Sequence, residues 1–329
     1  MSKLQLSIAI GNYDRVRPLI DGRVQIDGVD PVFMPLSPEE IFFRAFRNQE
    51  FDVTEMSFSS YLIKHSRGES PYTGIPVFLS RAFRHTAIYV RKDRVRTPAD
   101  LKGKRIGIPE YQLTALVWAR SILADDYGVQ PEDVTWILGG IDEPGRIEKI
   151  RLQLPENVKL EHAPEGDTIS SLLDQGAIDG FIAPRAPSGG AASNPNVGWL
   201  FDDPTAVAKE YFERTRIFPV MHVLGLRNSI AAAHPWLPGA LFKAFEESKA
   251  VALESLSETS ATKITLPFVE EQLKTARALM GFDFWSYGVD KNLPTLQAFT
   301  RHHHAQGLSQ RLVPVDELFH PATYERFKI

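Results

Sequence analysis

The chain has 329 residues, 43% hydrophobic and 24% charged, which is more than one hydrophobic core usually sustains, so two lobes are expected. A formal net charge of -4 gives no electrostatic footprint for nucleic acid or an anionic membrane surface. With no cysteine, disulfides, thiolate metal sites and cysteine nucleophiles are excluded.

Residues 1–10 alternate polar and apolar side chains like a first strand, with no charged segment leading into a long apolar one and no small-residue cleavage site. No apolar run approaches the roughly 20 residues a spanning helix needs. A cytoplasmic location is expected, an export signal lying upstream being the alternative. The strand over Leu4–Ile10 runs into Gly11-Asn-Tyr-Asp-Arg-Val-Arg-Pro18, where Asp14 is suited to cap a helix carrying Arg15 and Arg17 in its first turn. Backbone N–H groups and the helix dipole favour an anion there, and a guanidinium adds a planar clamp for a carboxylate. Two solvated arginines, or arginines paired to Asp14 and Asp21, are the alternative.

A second strand is expected over Val24–Phe33. Ser37-Pro-Glu-Glu40 then combines a serine cap, a proline at the first helical position and a capping-box glutamate, predicting a helix over Pro38–Arg47. The strand at Asp52–Met56 emerges into polar residues at Glu55 and Ser57, and a helix follows over Ser59–His65. After a strand at Ile75–Phe78 comes Ser80-Arg-Ala-Phe-Arg-His-Thr86, in which Arg81, Arg84 and His85 suit a planar dianion and a proton donor near neutral pH. A surface basic patch with a satisfied histidine is the competing reading.

Strands are next expected at Thr86–Arg91 and Arg105–Ile108, the latter emerging at Glu110 and Tyr111. A helix over Thr114–Tyr127 and strands at Val134–Ile137 and Val158–Glu161 follow, with Arg146 in the intervening Gly-rich segment. A helix over Ile169–Gln175 leads to a strand at Gly180–Ala183 that ends at Arg185, in a Gly/Pro/Ser-rich loop over 184–195. His222 stands alone inside the apolar strand Val220–Leu226; such residues are as often satisfied core histidines as functional ones. Thereafter the pattern is helical, at about Pro238–Ser257, Pro267–Met280 and Leu293–His304.

Strand–helix alternation predicts a mainly parallel sheet with helices on both faces, and side chains just beyond the carboxyl ends of such strands line the ligand crevice. Crossings near 90–97 and 218–222 divide the chain into a discontinuous first lobe, residues 1–93 plus 221–329, and an inserted second lobe, 94–220. His302-His303-His304 does not form a metal site, because consecutive helical side chains point about 100° apart. No HExxH, GxGxxG after a strand, P-loop or GxSxG is present.

Leu101-Lys-Gly-Lys-Arg-Ile-Gly-Ile-Pro109 and the stretch Gly176–Gly180 resemble the type II periplasmic-binding-protein fold. This implies an α/β fold of two lobes with ligand in the cleft and the C-terminal helices packed on the first lobe. Residues 11–22, 51–62, 75–85 and 107–112 are more specifically similar to the 4,5-dihydroxyphthalate decarboxylase family, and the likeness runs over essentially the whole chain. It implies conversion of 4,5-dihydroxyphthalate to protocatechuate and carbon dioxide without an organic cofactor; no metal site is expected, because no His/Asp/Glu cluster has ligand spacing. Its partner would be a small aromatic dicarboxylate, in a protein that is a candidate homo-oligomer. The residues fit: His85 or His222 as proton donor, Glu55 or Glu110 orienting it, and Arg15, Arg17, Arg81, Arg84, Arg146 and Arg185 with Ser57 and Tyr111 as substrate contacts. A solute-binding protein for an aromatic carboxylate is the runner-up, and a lyase of the same fold acting on another precursor is the third reading.

Overall fold

The computed structural model describes residues 3–258 and 260–324, so residues 1–2, 259 and 325–329 of the expected first lobe lie outside it. Its strands are β1 (Leu4–Ile10), β2 (Val29–Pro35), β3 (Val53–Ser57), β4 (Tyr72–Arg81), β5 (Ile88–Arg91), β6 (Arg105–Ile108), β7 (Thr135–Leu138), β8 (Lys159–His162), β9 (Gly180–Ile182), β10 (Val197–Trp199) and β11 (Val220–Arg227). The helices are α1 (Arg17–Ile20), α2 (Pro38–Asn48), α3 (Phe58–Ser66), α4 (Thr114–Tyr127), α5 (Ile169–Gln175), α6 (Gly189–Ser193), α7 (Pro204–Thr215), α8 (Asn228–Ala233), α9 (Leu237–Ser255), α10 (Val269–Met280) and α11 (Leu293–Ala305).

These strands form two sheets. The first has the order β2-β1-β3-β11-β4, with β1 parallel to β2 and β3, and β11 antiparallel to both β3 and β4. The second has the order β10-β5-β9-β6-β7-β8, parallel from β9 to β8 and antiparallel at β5. The expected division at residue 93 needs correction. Ile88–Arg91 pairs with β9 and β10 in the second sheet, so the first crossing lies between Arg81 and Ile88. The return comes just ahead of Val220.

Two local differences have simple causes. Strand β2 begins at Val29 and not at Val24, because Gly28 takes a left-handed φ of 74° and turns the chain there. After Asp14 there is only a short 3-10 turn and the four-residue α1, with no side-chain cap, so the anion-binding helix start expected for Arg15 and Arg17 does not form.

Helix α4 belongs to the second lobe in sequence but is packed into the first. Its Trp118 is fully buried and donates its indole N–H to the Val220 carbonyl at 2.9 Å. The C-terminal helices clasp this joint: Phe299 of α11 stacks on Phe58 of α3 at 4.4 Å and lies 5.3 Å from Trp118. One continuous core therefore runs from the first sheet through α4 to β6, and a smaller one around Ile169 and Phe181 fills the far side of the second sheet. Of the helices described, none is long and apolar enough to cross a membrane.

Candidate active site

The site begins with register. In the antiparallel pair β3–β11, His222 lies opposite Ser57 and Leu224 opposite Glu55, which puts Glu55, Ser57 and His222 on one face. The β11–β4 pairing shifts register on both sides of His222, an irregularity of the kind that re-aims a side chain beside a functional site. Glu55 is fully buried, and three donors converge on it: His222 Nδ1 at 2.5 Å and the Tyr13 hydroxyl at 2.8 Å on Oε1, and the Gly11 N–H at 2.7 Å on Oε2. Burial pushes this carboxyl up, but His222, Gly11 and Tyr13 together outweigh it and hold it below the usual carboxylate range. An ionised Glu55 requires the proton on Nδ1, leaving Nε2 of the 19% exposed imidazole for the cleft. The edge of Phe42 packs against the ring at 4.8 Å.

His222 lines a cleft of about 390 Å³ together with Ser57, Arg84, Thr114, Lys149 and Arg185. Phe42, Leu113, Ala115, Pro184 and Met221 supply its apolar walls. Three helix starts face this space: α2 at Ser37–Glu39, α3 at Ser57 and α4 at Thr114–Ala115. Neither α2 nor α4 has a side-chain cap, but α2 begins at Pro38, which carries no N–H, and has Glu39 and Glu40 in its first turn, so the start of α4 is the one that suits an anion. Thr114 joins the lobes by accepting the Ser59 N–H at 3.0 Å and sharing a hydrogen bond with the Ser57 hydroxyl at 3.1 Å.

The cations differ in environment. Arg84 has its Nε 3.1 Å from Met221 Sδ and, among the described residues, no carboxylate partner; burial pulls its guanidinium down to about 10. Arg185 stands exposed at the rim. Lys149 is held at 3.2 Å from Glu110. Across the opening, burial raises the Glu39 carboxyl, but Arg146, Lys149 and Arg185 outweigh it and keep it low.

The remaining expected residues lie elsewhere. His85 is fully buried in an aromatic box, 5.5 Å from Phe201 and 5.3 Å from Tyr211, with neither ring nitrogen bonded among the described residues. Arg81 is likewise buried, donating to the carbonyls of Phe218 at 2.8 Å and Ser286 at 2.7 Å and to Asn292. Arg15 donates to the Leu79 carbonyl, and Arg17 is exposed outside the cleft. Tyr111 is buried under the guanidinium of Arg120, 3.8 Å from its ring centre. Glu110 is consumed by Arg146 at 2.6 Å and by Lys149, and serves to hold that segment. Arg146 also reaches Glu39 at 3.2 Å, linking α2 to the second lobe. The three consecutive histidines diverge, His302 to Asp125, His303 to Ser59 and His304 to the Ser309 carbonyl. Among the described residues no three His, Asp or Glu side chains gather as metal ligands.

Burial pulls the His85 imidazole down to about 4 from 6.5, with Arg214 adding to the effect. The unfolded chain therefore takes up a proton between pH 6.5 and 4 that the folded chain refuses. Stability tied to His85 is intact above pH 6.5 and declines by up to about 3 kcal/mol as pH falls toward 4. His85→Phe, which loses no hydrogen bond, is expected to flatten the acid-side fall in melting temperature and to leave the cleft unchanged. Calorimetric scans from pH 7 to 4 check both.

No protein-family model matches the chain. Over its full length it is 62% identical to 4,5-dihydroxyphthalate decarboxylase of Comamonas testosteroni, covering 100% of both chains. The chain belongs to the 4,5-dihydroxyphthalate decarboxylase family. The enzyme of the same name from Pseudomonas putida is 57% identical over 213 residues, covering 64% of this chain and 83% of that one. In structure the chain is similar to the periplasmic aliphatic sulphonate binding protein SsuA of Escherichia coli, with a TM-score of 0.53 at 13% identity, covering 100% and 95% of the two chains. It is also similar to protein AF1704 of Archaeoglobus fulgidus, with a TM-score of 0.51 at 16% identity, covering 92% and 98%. The fold of this decarboxylase-family member is thus the two-lobed one of periplasmic solute-binding proteins.

Of the residues sequence reasoning put forward for this family member, Glu55, Ser57, Arg84, Arg185 and His222 meet at the cleft. Tyr13, Phe42, Thr114 and Lys149 join them without a signal in the sequence. Phe42 and Thr114 look like ordinary helix residues in sequence, and Lys149 sits in the irregular segment between β7 and β8, where no strand exit marks it.

Proposed function

We propose that this chain decarboxylates 4,5-dihydroxyphthalate to protocatechuate and carbon dioxide, with the His222 imidazolium as proton donor. The observation that carries this reading is a buried carboxylate–imidazole pair opening onto a cleft with a guanidinium that has no carboxylate partner among the described residues, in a chain 62% identical to a decarboxylase of that name. The hydroxyl para to the departing carboxylate pushes electron density onto its ring carbon. Nε2–H of His222 gives its proton to that carbon, forming the new C–H bond, while Glu55 supports the Nδ1–H side. With the hydroxyl proton still on oxygen, the ring is then a protonated dienone whose C–carboxylate bond stands near perpendicular to the ring. Breaking that bond releases carbon dioxide, returns the electron pair to the ring and restores the hydroxyl. Solvent reprotonates His222.

Charge distribution decides how the two carboxylates sit. A cation on the departing carboxylate opposes formation of neutral carbon dioxide, so the retained carboxylate takes Arg84, Arg185 and the α4 N-terminus. The departing one faces Phe42, Leu113 and Met221, where low polarity favours loss of charge. Closure of two lobes over the substrate, a cytoplasmic location and a homo-oligomeric state belong to the same proposal; fractionation of the source cells and sedimentation of the pure protein test the last two.

Incubating purified protein with 4,5-dihydroxyphthalate and following protocatechuate by chromatography tests the reaction. Stoichiometric product is expected. Tight binding without product would instead favour the solute-binding reading that the fold alone permits, and turnover only of another hydroxylated aromatic acid would move the substrate assignment.

A further inference from the structure

Among the described residues, Tyr13 is the one donor on Glu55 that neither the backbone nor the imidazole supplies. Its hydroxyl lies 2.8 Å from Oε1, the same oxygen that receives His222 Nδ1 at 2.5 Å. The chain makes room for this contact at one glycine: a Cβ on Gly11 would come within 2.4 Å of Tyr13 Cζ and 2.5 Å of its hydroxyl oxygen. A side chain at residue 11 would thus push the phenol away while disturbing the Gly11 N–H that binds Oε2. On its other side the ring is held by Arg15, whose guanidinium carbon is 4.2 Å from the Tyr13 ring centre and 4.4 Å from that of Trp285, and whose Nε is tied to the Leu79 carbonyl at 2.8 Å. Arg15, expected to bind substrate, props the tyrosine that props the glutamate. Burial and then the Glu55 carboxylate push the Tyr13 hydroxyl far up, so it stays a donor throughout the working pH range.

Resting on the decarboxylase reading above, we propose that Tyr13 is a positioning residue for ring protonation: its hydroxyl fixes the plane of the Glu55 carboxylate and draws charge from Oε1, so that His222 faces the cleft and gives up its proton more readily. A carboxylate with two fixed donors besides the imidazole cannot rotate, and an acceptor already sharing its charge holds the imidazolium proton less tightly. The other charged groups facing this pair are Arg15 on the same turn, Glu39 on α2, Arg84 after β4, and Lys149 and Arg185 across the cleft. None of them hydrogen-bonds to Glu55, so loss of the phenol is not replaced.

The test is Tyr13→Phe, which keeps the ring under Arg15 and deletes only the hydroxyl. We expect kcat to fall about tenfold, the worth of one hydrogen bond to a charged group, with KM within twofold of wild type. Both limbs of the kcat–pH profile are expected to move to higher pH, because the pair holds each proton more tightly. In a Glu55→Gln background the same change is expected to cost less than twofold. A readout that needs no turnover accompanies these: with [15N]histidine, the His222 ring signals titrate at higher pH in Tyr13→Phe than in wild type. Unmoved ring signals overturn the inference whether or not the substrate is correctly assigned. With active enzyme, an unchanged kcat profile, or an equal loss in the Glu55→Gln background, overturns it too. Absence of wild-type turnover counts against the decarboxylase reading alone.

Discussion

His222→Gln is expected to lower kcat by about 10²–10⁴-fold, the usual contribution of a placed general acid, while the melting temperature changes little. Glutamine is chosen because its amide N–H can still donate to Glu55. Three donors meet the fully buried Glu55, and an alanine at 222 would strip one of them, mixing lost chemistry with a poorly satisfied buried charge. Affinity for phthalate, which lacks the ring hydroxyls and does not react, is expected to stay within a few-fold. Loss of kcat with retained phthalate binding assigns the proton to His222. Retention of kcat within threefold would remove His222 from the chemistry and, with it, the Glu55 pair.

Arg84→Met is expected to weaken phthalate binding by about 2–5 kcal/mol, the cost of truncating one side of a desolvated charge pair, or roughly 30- to 5,000-fold in Kd. The same substitution is expected to raise the melting temperature. In the free protein Arg84 is a half-buried cation with no carboxylate partner among the described residues, its guanidinium brought down to about 10 by desolvation, with Met221 sulfur as its neighbour. Methionine removes that desolvated charge and suits the Met221 side of the cleft, exchanging function for stability. Arg185→Met serves as the contrast: the side chain is exposed, its charge is screened, and about tenfold or less is expected. Calorimetric titration with phthalate and a thermal scan on each variant measure both effects. Equal losses at the two positions would contradict the unequal roles drawn from their burial.

Much of this architecture is legible from local pattern. The strand at Leu4–Ile10, the strand at Arg105–Ile108 and the helices at Thr114–Tyr127 and Ile169–Gln175 have the bounds their sequences indicate, because period, caps and flanking glycines agree there. β10 is only Val197–Trp199, too short to carry a period, and it exists because β5 offers an edge. The same pairing accounts for the misplaced crossing: Ile88–Arg91 reads as a strand in either sheet, and only its partners assign it to the second.

The site divides along similar lines. Glu55, Ser57 and Arg185 were reachable because residues at or just past a strand's carboxyl end point to the crevice, His222 because it stands at the crossing back into the first lobe, and Arg84 because a cation follows β4. His85, Arg81 and Tyr111 are also near strand ends, yet each is turned inward, His85 between Phe201 and Tyr211, Arg81 onto carbonyls of the C-terminal region, Tyr111 beneath Arg120. Nothing in a run such as Arg84-His85 tells which neighbour faces the cleft. That choice is made by packing against α7 and β11, residues more than a hundred positions away.

The chemistry depends on a flat dianion held in the cleft with one ring carbon presented to His222. A crystal structure with phthalate bound tests this most directly. The expected result is one carboxylate on Arg84 with Arg185 nearby, the other against Phe42 and Met221, and its ring carbon within reach of His222 Nε2. Phthalate bound outside this cleft, or seated in it with Nε2 turned from the ring, would contradict the central claim.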